Sequence, residues 1–198
     1  MFCTIMFRNN GGLFGTMDAR IEKTKASLKV ALQEVLSENP KGKIRVEDLL
    51  EKAHISRSTF YCHYKTIDDL VSSVSEDIFH HVFSHSLKSE KGHDFSNTSI
   101  FDTGNLITHI LYHLKEEKNL IRAITRSQYA SLFNAKFREE FKPIASTLSA
   151  ANPKPDIPLS LAEEAVTEAF LLTVAYWEQE DFLDTPETIS AIYFCLIR

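Results

Sequence analysis

Apolar residues recur at steps of three and four along most of this 198-residue chain, and that spacing is the feature that most constrains its fold. Leu28, Ala31, Leu32 and Val35 show the pattern near the N-terminus, where it places side chains on one face of an α-helix. No segment alternates apolar and polar residues as a half-buried strand does. The sequence therefore predicts an all-α fold. Helices are expected at about 18–39, 46–53, 57–64, 66–82, 106–114, 120–132, 133–148, 160–179 and 185–197.

Capping residues mark several of these helix starts. Ser56 and Thr66 have side-chain oxygens that can accept a free backbone N–H of the first turn. Ser160 with Glu163 forms a capping-box signature, and Thr185 precedes a proline, a residue favoured at the first helical position. These signals indicate where the third, fourth, eighth and ninth helices begin.

Charge and composition divide the chain into three parts. Residues 1–17 are expected to form a flexible leader, because an Asn-Asn-Gly-Gly stretch interrupts them and their apolar run is too short for a signal peptide. Residues 18–65 hold ten Lys and Arg against seven Asp and Glu, whereas residues 66–198 hold eleven against twenty. A chain with a net charge of -5 whose N-terminal segment is positive concentrates its attraction for phosphate in that segment.

The cysteines and the hydropathy favour a cytoplasmic protein. The three cysteines lie far apart and form no CxxC pair, which is typical of a reducing compartment. No stretch approaches the roughly 18 apolar residues of a membrane-spanning helix. We therefore expect neither secretion nor a membrane partner.

The helices predicted at 46–53 and 57–64, with the three-residue turn between them, have the lengths of a helix-turn-helix. Small helical bundles also contain such pairs, so the residue types matter as much as the spacing. The second helix is expected to bury Phe60 and Tyr64 and to expose Arg57, Ser58 and Tyr61. The guanidinium of an arginine can donate two hydrogen bonds to guanine, and a serine is small enough to let the helix approach the bases closely. A tyrosine can contact a thymine methyl or a phosphate.

The segment Ala-His-Ile-Ser-Arg-Ser-Thr-Phe-Tyr-Cys-His-Tyr at 53–64, followed by Asp-Asp-Leu at 68–70, resembles the signature of the TetR family of bacterial transcription regulators. The resemblance covers about residues 20–75. It implies an N-terminal three-helix DNA-binding domain at 18–65 and a helical effector-binding and dimerisation domain at 66–198. The segments at 176–178 and 185–187 are also similar to the branch named for the dihydroxyacetone kinase regulator.

The resemblance implies roles for individual side chains. Arg57, Ser58 and Tyr61 would approach bases, while Thr59, Tyr61 and His63 would contact phosphates. The full set of predicted DNA contacts is Arg45, Glu47, Arg57, Ser58, Thr59, Tyr61, His63 and Lys65.

Two positions depart from the family pattern. His54 stands in the turn where the family usually has glycine, and histidine adopts a left-handed backbone less readily. Ile67 stands at the start of the fourth helix, where many members have a lysine that contacts phosphate. Lys65 is a candidate substitute, and without one the affinity for DNA would be weaker than is usual for the family.

The resemblance also implies a homodimer and a small-molecule effector. The helix predicted at 160–179 is apolar around most of its circumference, so it needs burial on two sides, and with 185–197 it is the predicted dimer interface. A central helix of a monomer is the alternative. The candidate effector-binding residues, each of which can instead be ordinary core, are Phe79, Phe83, Ile110, His113, Leu114, Tyr129, Phe133, Phe170 and Tyr176.

Metal binding and catalysis are the less favoured interpretations. His81 with His85 and His109 with His113 are spaced for one helical face, but local spacing supplies neither pair with a third ligand. The nucleophile-elbow and phosphate-loop motifs are missing from the sequence. We therefore expect no metal, no cofactor and no enzymatic activity.

The function implied is a DNA-binding transcriptional regulator of a palindromic double-stranded operator. Repression, released or modulated by a small-molecule effector, is the expected mode. The alternative is a co-regulator whose helix-turn-helix domain or C-terminal body binds another protein.

Overall fold

A computed structural model describes residues 14–83 and 103–198, with backbone alone for residues 14–18, 81–83 and 103–104. In these ranges the chain is entirely helical and contains no strand, which confirms the predicted all-α class. No helix in the described ranges is long and apolar enough to cross a membrane. The helices are α1 Phe14–Glu38, α2 Val46–Ala53, α3 Arg57–His63, α4 Ile67–Phe83, α5 Thr103–Glu116, α6 Lys118–Thr125, α7 Ala130–Ala151, α8 Leu159–Gln179 and α9 Pro186–Ile197.

The first three helices surround a small apolar core. α1 packs along α2, and α3 closes the unit. Leu32 of α1, Leu49 of α2 and Phe60 of α3 are fully buried. α1 begins four residues earlier than predicted, so residues 14–17 of the predicted leader are helical, while residues 1–13 lie outside the described residues.

The helices α4 to α9 form the larger body, in which α7 packs against α4 and α8, and α9 packs against α5 and α8. Aromatic rings packed face to face and edge to face hold its centre together. The ring centroid of Phe170 lies 5.3 Å from Phe137, 4.9 Å from Phe141 and 5.3 Å from Tyr193. Rings at these separations attract one another beyond their hydrophobic burial. Three helices, α7, α8 and α9, are therefore joined through one cluster.

The predicted boundary between the sixth and seventh helices is wrong. α6 ends at Thr125, and α7 runs without a break through the expected junction at 132–133. The chain turns instead at Ser127, whose hydroxyl donates to the carbonyl of Ile124 at 2.7 Å and accepts the N–H of Tyr129 at 3.1 Å. A serine side chain that binds nearby backbone in this way favours a turn over a continuing helix.

The predicted capping box at Ser160 is also wrong. Pro158 precedes α8 with an extended ψ of 137°, and its carbonyl accepts the N–H groups of Leu161 and Ala162, each at 3.0 Å. Ser160 consequently lies inside the first turn, where its side chain cannot act as the N-cap. The N-caps predicted for α3, α4 and α9 are correct, and Thr185 accepts the N–H of Thr188 at 3.3 Å.

Candidate nucleic-acid interface

The start of α3 is held in place by its N-cap. The hydroxyl of Ser56 accepts the N–H of Thr59 at 3.1 Å and lies 2.8 Å from the hydroxyl of Ser58. Phe60 and Tyr64 point into the core, as predicted. The side chains of Arg57, Ser58 and Tyr61 are exposed, and those of Thr59 and His63 are half-buried. The first two turns of α3 thus present one arginine, one serine and one tyrosine to the surroundings.

The turn before α3 depends on a left-handed residue. His54 has φ 53° and ψ 42°, the conformation for which the family pattern has glycine. Its N–H bonds the carbonyl of Glu51 at 3.3 Å, and the N–H of Ile55 bonds that of Leu50 at 3.2 Å. These two bonds form the Schellman motif that ends helices with a left-handed residue. Histidine therefore adopts the backbone that the turn requires.

Two ion pairs occupy the starts of α2 and α3. The guanidinium of Arg45 donates to Asp48 at 2.9 Å, and the other carboxylate oxygen accepts the Arg45 N–H at 3.1 Å. This hydrogen-bonded guanidinium lowers the pKa of the Asp48 carboxyl below its ordinary value. Arg57 donates from Nη2 to Oε1 of Glu47, so the predicted base-reading arginine is bound to a carboxylate of the neighbouring helix.

A groove of about 810 Å³ separates the N-terminal half of α1 from the turn and α3. Arg20 and Lys23 line it from α1, and His54, Thr59 and His63 line it from the other side. None of the described residues that line it is acidic. Sequence reasoning did not select Arg20 and Lys23 as DNA contacts, although their three-residue spacing on a helix that precedes a helix-turn-helix was a usable signal.

Lys65 and Ile67 have different environments at the start of α4. Lys65 is exposed and forms no ion pair with the described residues. Ile67 is half-buried and packs against the core. The carboxylate of Asp69 accepts the N–H groups of Lys65 and Thr66, each at 3.0 Å, and the Asp69 N–H bonds the Thr66 hydroxyl at 3.1 Å. The reciprocal bonds fix the backbone that carries Lys65.

The candidate effector-binding residues lie mostly in the core of the body. The side chain of Phe83 lies outside the described residues, and Tyr176 is 42% exposed on α8. The Nε2 atom of His113 lies 3.1 Å from that of His109, and its Nδ1 atom lies 3.2 Å from Glu116. The buried candidates are Phe79, Ile110, His113, Leu114, Tyr129, Phe133 and Phe170.

An apolar cavity of about 260 Å³ lies elsewhere in the body. It is enclosed by the end of α7, the start of α8 and the end of α9, with Leu148, Val166 and Ile197 in its lining. None of the predicted effector residues whose side chains are described lines it. The candidate effector residues and this cavity are therefore separate features of the body.

The outer faces of α8 and α9 carry large apolar side chains. Leu172 is 63% exposed and Leu196 is 54% exposed, and Leu161 and Tyr176 are exposed as well. Trp177, on the opposite side of α8, is fully buried and donates from Nε1 to the carbonyl of Asp184 at 3.2 Å. α8 therefore has one face in the core and a second apolar face on the surface.

Comparison with known proteins finds the fold among solved structures. No family model matches the chain, and no curated protein matches it. The chain is similar to the crystal structure of a TetR transcriptional regulator from Streptococcus agalactiae 2603V, with 26% sequence identity and a TM-score of 0.68. The match covers 93% of this chain and 98% of that one, which supports the predicted family; the resemblance to the dihydroxyacetone kinase regulator branch stays a prediction. Over the residues that the structure describes, the chain is all-helical and has the TetR fold.

Proposed function

We propose that this protein is a DNA-binding transcriptional regulator that inserts α3 into the major groove. The observation that carries the proposal is the exposed first half of α3, held by the Ser56 cap and flanked by a basic groove, in a chain with the fold of a TetR transcriptional regulator. A helix of this size fits the major groove, where each base pair presents a distinct set of donors and acceptors.

Roles in base reading and phosphate binding are assigned side chain by side chain. Arg57 is proposed to bind guanine, while Ser58 allows close approach and Tyr61 contacts a thymine methyl or a phosphate. Phosphate contacts are proposed for Thr59, His63 and Lys65. To these we add Arg20 and Lys23, because they line the groove beside α3 without any acidic neighbour in its lining.

The regulator is proposed to act as a homodimer. The exposed apolar faces of α8 and α9 supply a surface that a second copy can cover, in agreement with the predicted interface at 160–179 and 185–197. A two-fold dimer addresses a palindromic operator, with half-sites about 34–36 Å apart or a multiple of that distance.

Modulation by a small molecule is proposed to act through the body. α1 packs against α6, and the ammonium of Lys29 lies 2.5 Å from the carboxylate of Glu117 at the start of α6. A ligand that binds one arrangement of these helices better than another shifts the population of dimers able to dock both α3 helices. Repression relieved by the ligand is the proposed mode.

A co-regulator that binds a protein partner is the second candidate. The observation in its favour is that the arginines before α2 and at the start of α3, Arg45 and Arg57, are both bound to carboxylates, while Ile67 stands where the family pattern has a lysine. Such a protein would have no specific operator.

The test is selection of bound sequences from a random DNA pool at near-physiological salt, followed by affinity measurements against salt concentration. Enrichment of a palindrome is expected. Binding without any preferred sequence, with only a steep salt dependence, would leave phosphate attraction alone and favour the protein-partner role.

A further inference from the structure

The starts of α2 and α3 meet in one cross-helix ion pair. Glu47 is the second residue of α2, and Arg57 is the first residue of α3. The side chains stay 56% and 60% exposed respectively, although the guanidinium donates directly to the carboxylate. The pair therefore lies on the surface proposed to face DNA.

The pair contributes little to folding, because both of its members remain in contact with water. Its main effect is on the rotational freedom of the Arg57 side chain. A free arginine side chain loses the freedom of several rotatable bonds when it binds a base, and this loss opposes binding. An arginine already held by a carboxylate has lost part of that freedom before DNA arrives.

The Glu47 carboxylate also changes the binding of DNA sequences that lack the guanine proposed to bind Arg57. Its negative charge beside the duplex repels phosphates, so it weakens binding wherever the arginine gains no compensating contact. The groove between α1 and α3 contrasts with this edge, because no described residue in its lining is acidic. Phosphate attraction and base selection are thus separated on the surface.

We propose that Glu47 is a positioning residue that sets base selectivity, by holding the guanidinium of Arg57 for guanine and by penalising sequences without it. The inference rests on the proposed DNA-reading function. It gives Glu47, which is one of the predicted DNA contacts, an indirect role without a contact to the bases.

The test compares two duplexes, the selected operator and the same operator with the base pair assigned to Arg57 exchanged. Fluorescence anisotropy gives the ratio of the two dissociation constants. The wild type is expected to prefer the operator by about tenfold, within the range typical of one bidentate arginine contact. Glu47→Gln is expected to reduce that ratio about threefold or more, mainly through tighter binding to the exchanged duplex.

Two further variants separate the effect of the negative charge of Glu47 from the effect of its side-chain length. Glu51→Gln removes a charge one turn further along α2, from an exposed side chain that forms no ion pair with the described residues. It should tighten binding to both duplexes and leave their ratio unchanged. Glu47→Asp keeps the charge but shortens the side chain, and it should lower the ratio by weakening the operator complex alone.

Four results would overturn the inference. If Glu47→Gln keeps the wild-type ratio of dissociation constants, or if it behaves like Glu51→Gln, the Glu47 carboxylate acts only as a general negative charge on the surface. A ratio that still responds to Glu47→Gln in an Arg57→Ala background would show that Glu47 reads DNA directly. If the wild type selects no sequence, the proposed function fails along with the inference, whereas a selective wild type with an unresponsive Glu47 overturns the inference alone.

Discussion

Arg57 is the side chain whose removal is expected to change the recognition of one base pair. It is exposed at the first position of α3, where the Ser56 cap fixes the backbone. Arg57→Ala should lose about 1–3 kcal/mol of binding free energy on the selected operator and relax one position of the motif. Repeating the pool selection with the variant measures both effects.

Lys65→Ala is the matched control for that substitution. Lys65 is exposed and has no carboxylate bound to its side chain among the described residues. A phosphate contact at this position predicts weaker binding to all sequences alike and a salt slope reduced by about 1. If the wild type and Arg57→Ala select the same sequence motif from the DNA pool, Arg57 does not read a base.

His54→Gly is expected to stabilise the protein. A β-carbon at φ 53° is unfavourable, and glycine adopts this conformation at no steric cost. The expected gain is roughly 0.5–1 kcal/mol in the free energy of unfolding, after the greater freedom of glycine in the unfolded chain is included. Urea denaturation measures it. His54→Ala keeps the β-carbon, so a comparable gain in that variant would show that the backbone is not the cause.

At the scale of the elements, a bidentate ion pair joins α7 to α8. Arg138 donates to the two carboxylate oxygens of Glu168 at 2.6 and 3.1 Å. The hydrogen-bonded guanidinium lowers the pKa of the Glu168 carboxyl from its ordinary 4.5. Because the folded pKa is the lower one, the stabilisation is complete above about pH 4.5 and is lost as the pH falls through the folded value.

Glu168→Gln should therefore lower stability at pH 7 but not at strongly acidic pH. The side chains are 44% and 48% exposed, so the expected loss at pH 7 is only about 0.2–1 kcal/mol. Urea unfolding at neutral and acidic pH, followed through the buried Trp177, measures the difference. Glu140→Gln is the control, because Glu140 is an exposed residue of α7 that forms no ion pair with the described residues. A loss that persists unchanged in acid would contradict the ion-pair explanation.

The start of each helix shows how far local sequence predicts structure. The caps at Ser56 and Thr185 were predictable because the hydroxyl and the N–H that it accepts lie three residues apart. Ser160 has the same local signature, yet it lies inside the first turn of α8 because Pro158 is the N-cap residue of that helix. The turn at Ser127 was missed because nearby apolar residues continue a helical spacing, and spacing alone gives helix type more reliably than helix ends.

At the scale of the whole molecule, the exposed apolar face of α8 should determine the oligomeric state. Leu172→Glu places a charge in the middle of the proposed interface, where burial without a partner is unfavourable. We expect a folded monomer that binds single half-sites and has lost its tight affinity for the palindrome. Sedimentation measures the mass, and circular dichroism checks the helix content.

Val30→Glu provides the control for Leu172→Glu. Val30 is 57% exposed on α1, away from α8 and α9, so the same charge change there should leave the mass unchanged. A Leu172→Glu protein that keeps the mass of the wild type would place the interface on another surface.

The amino-acid sequence by itself determined the helical class, the helix-turn-helix and the exposure of Arg57, because those properties depend on residues a few positions apart. Tertiary structure decided what those residues touch. The pairing of Arg57 with Glu47 requires the left-handed turn at His54, and the basic groove requires α1 to lie beside α3. Such contacts join segments distant along the chain, and their geometry follows from how the helices pack around a shared core, which no local pattern specifies.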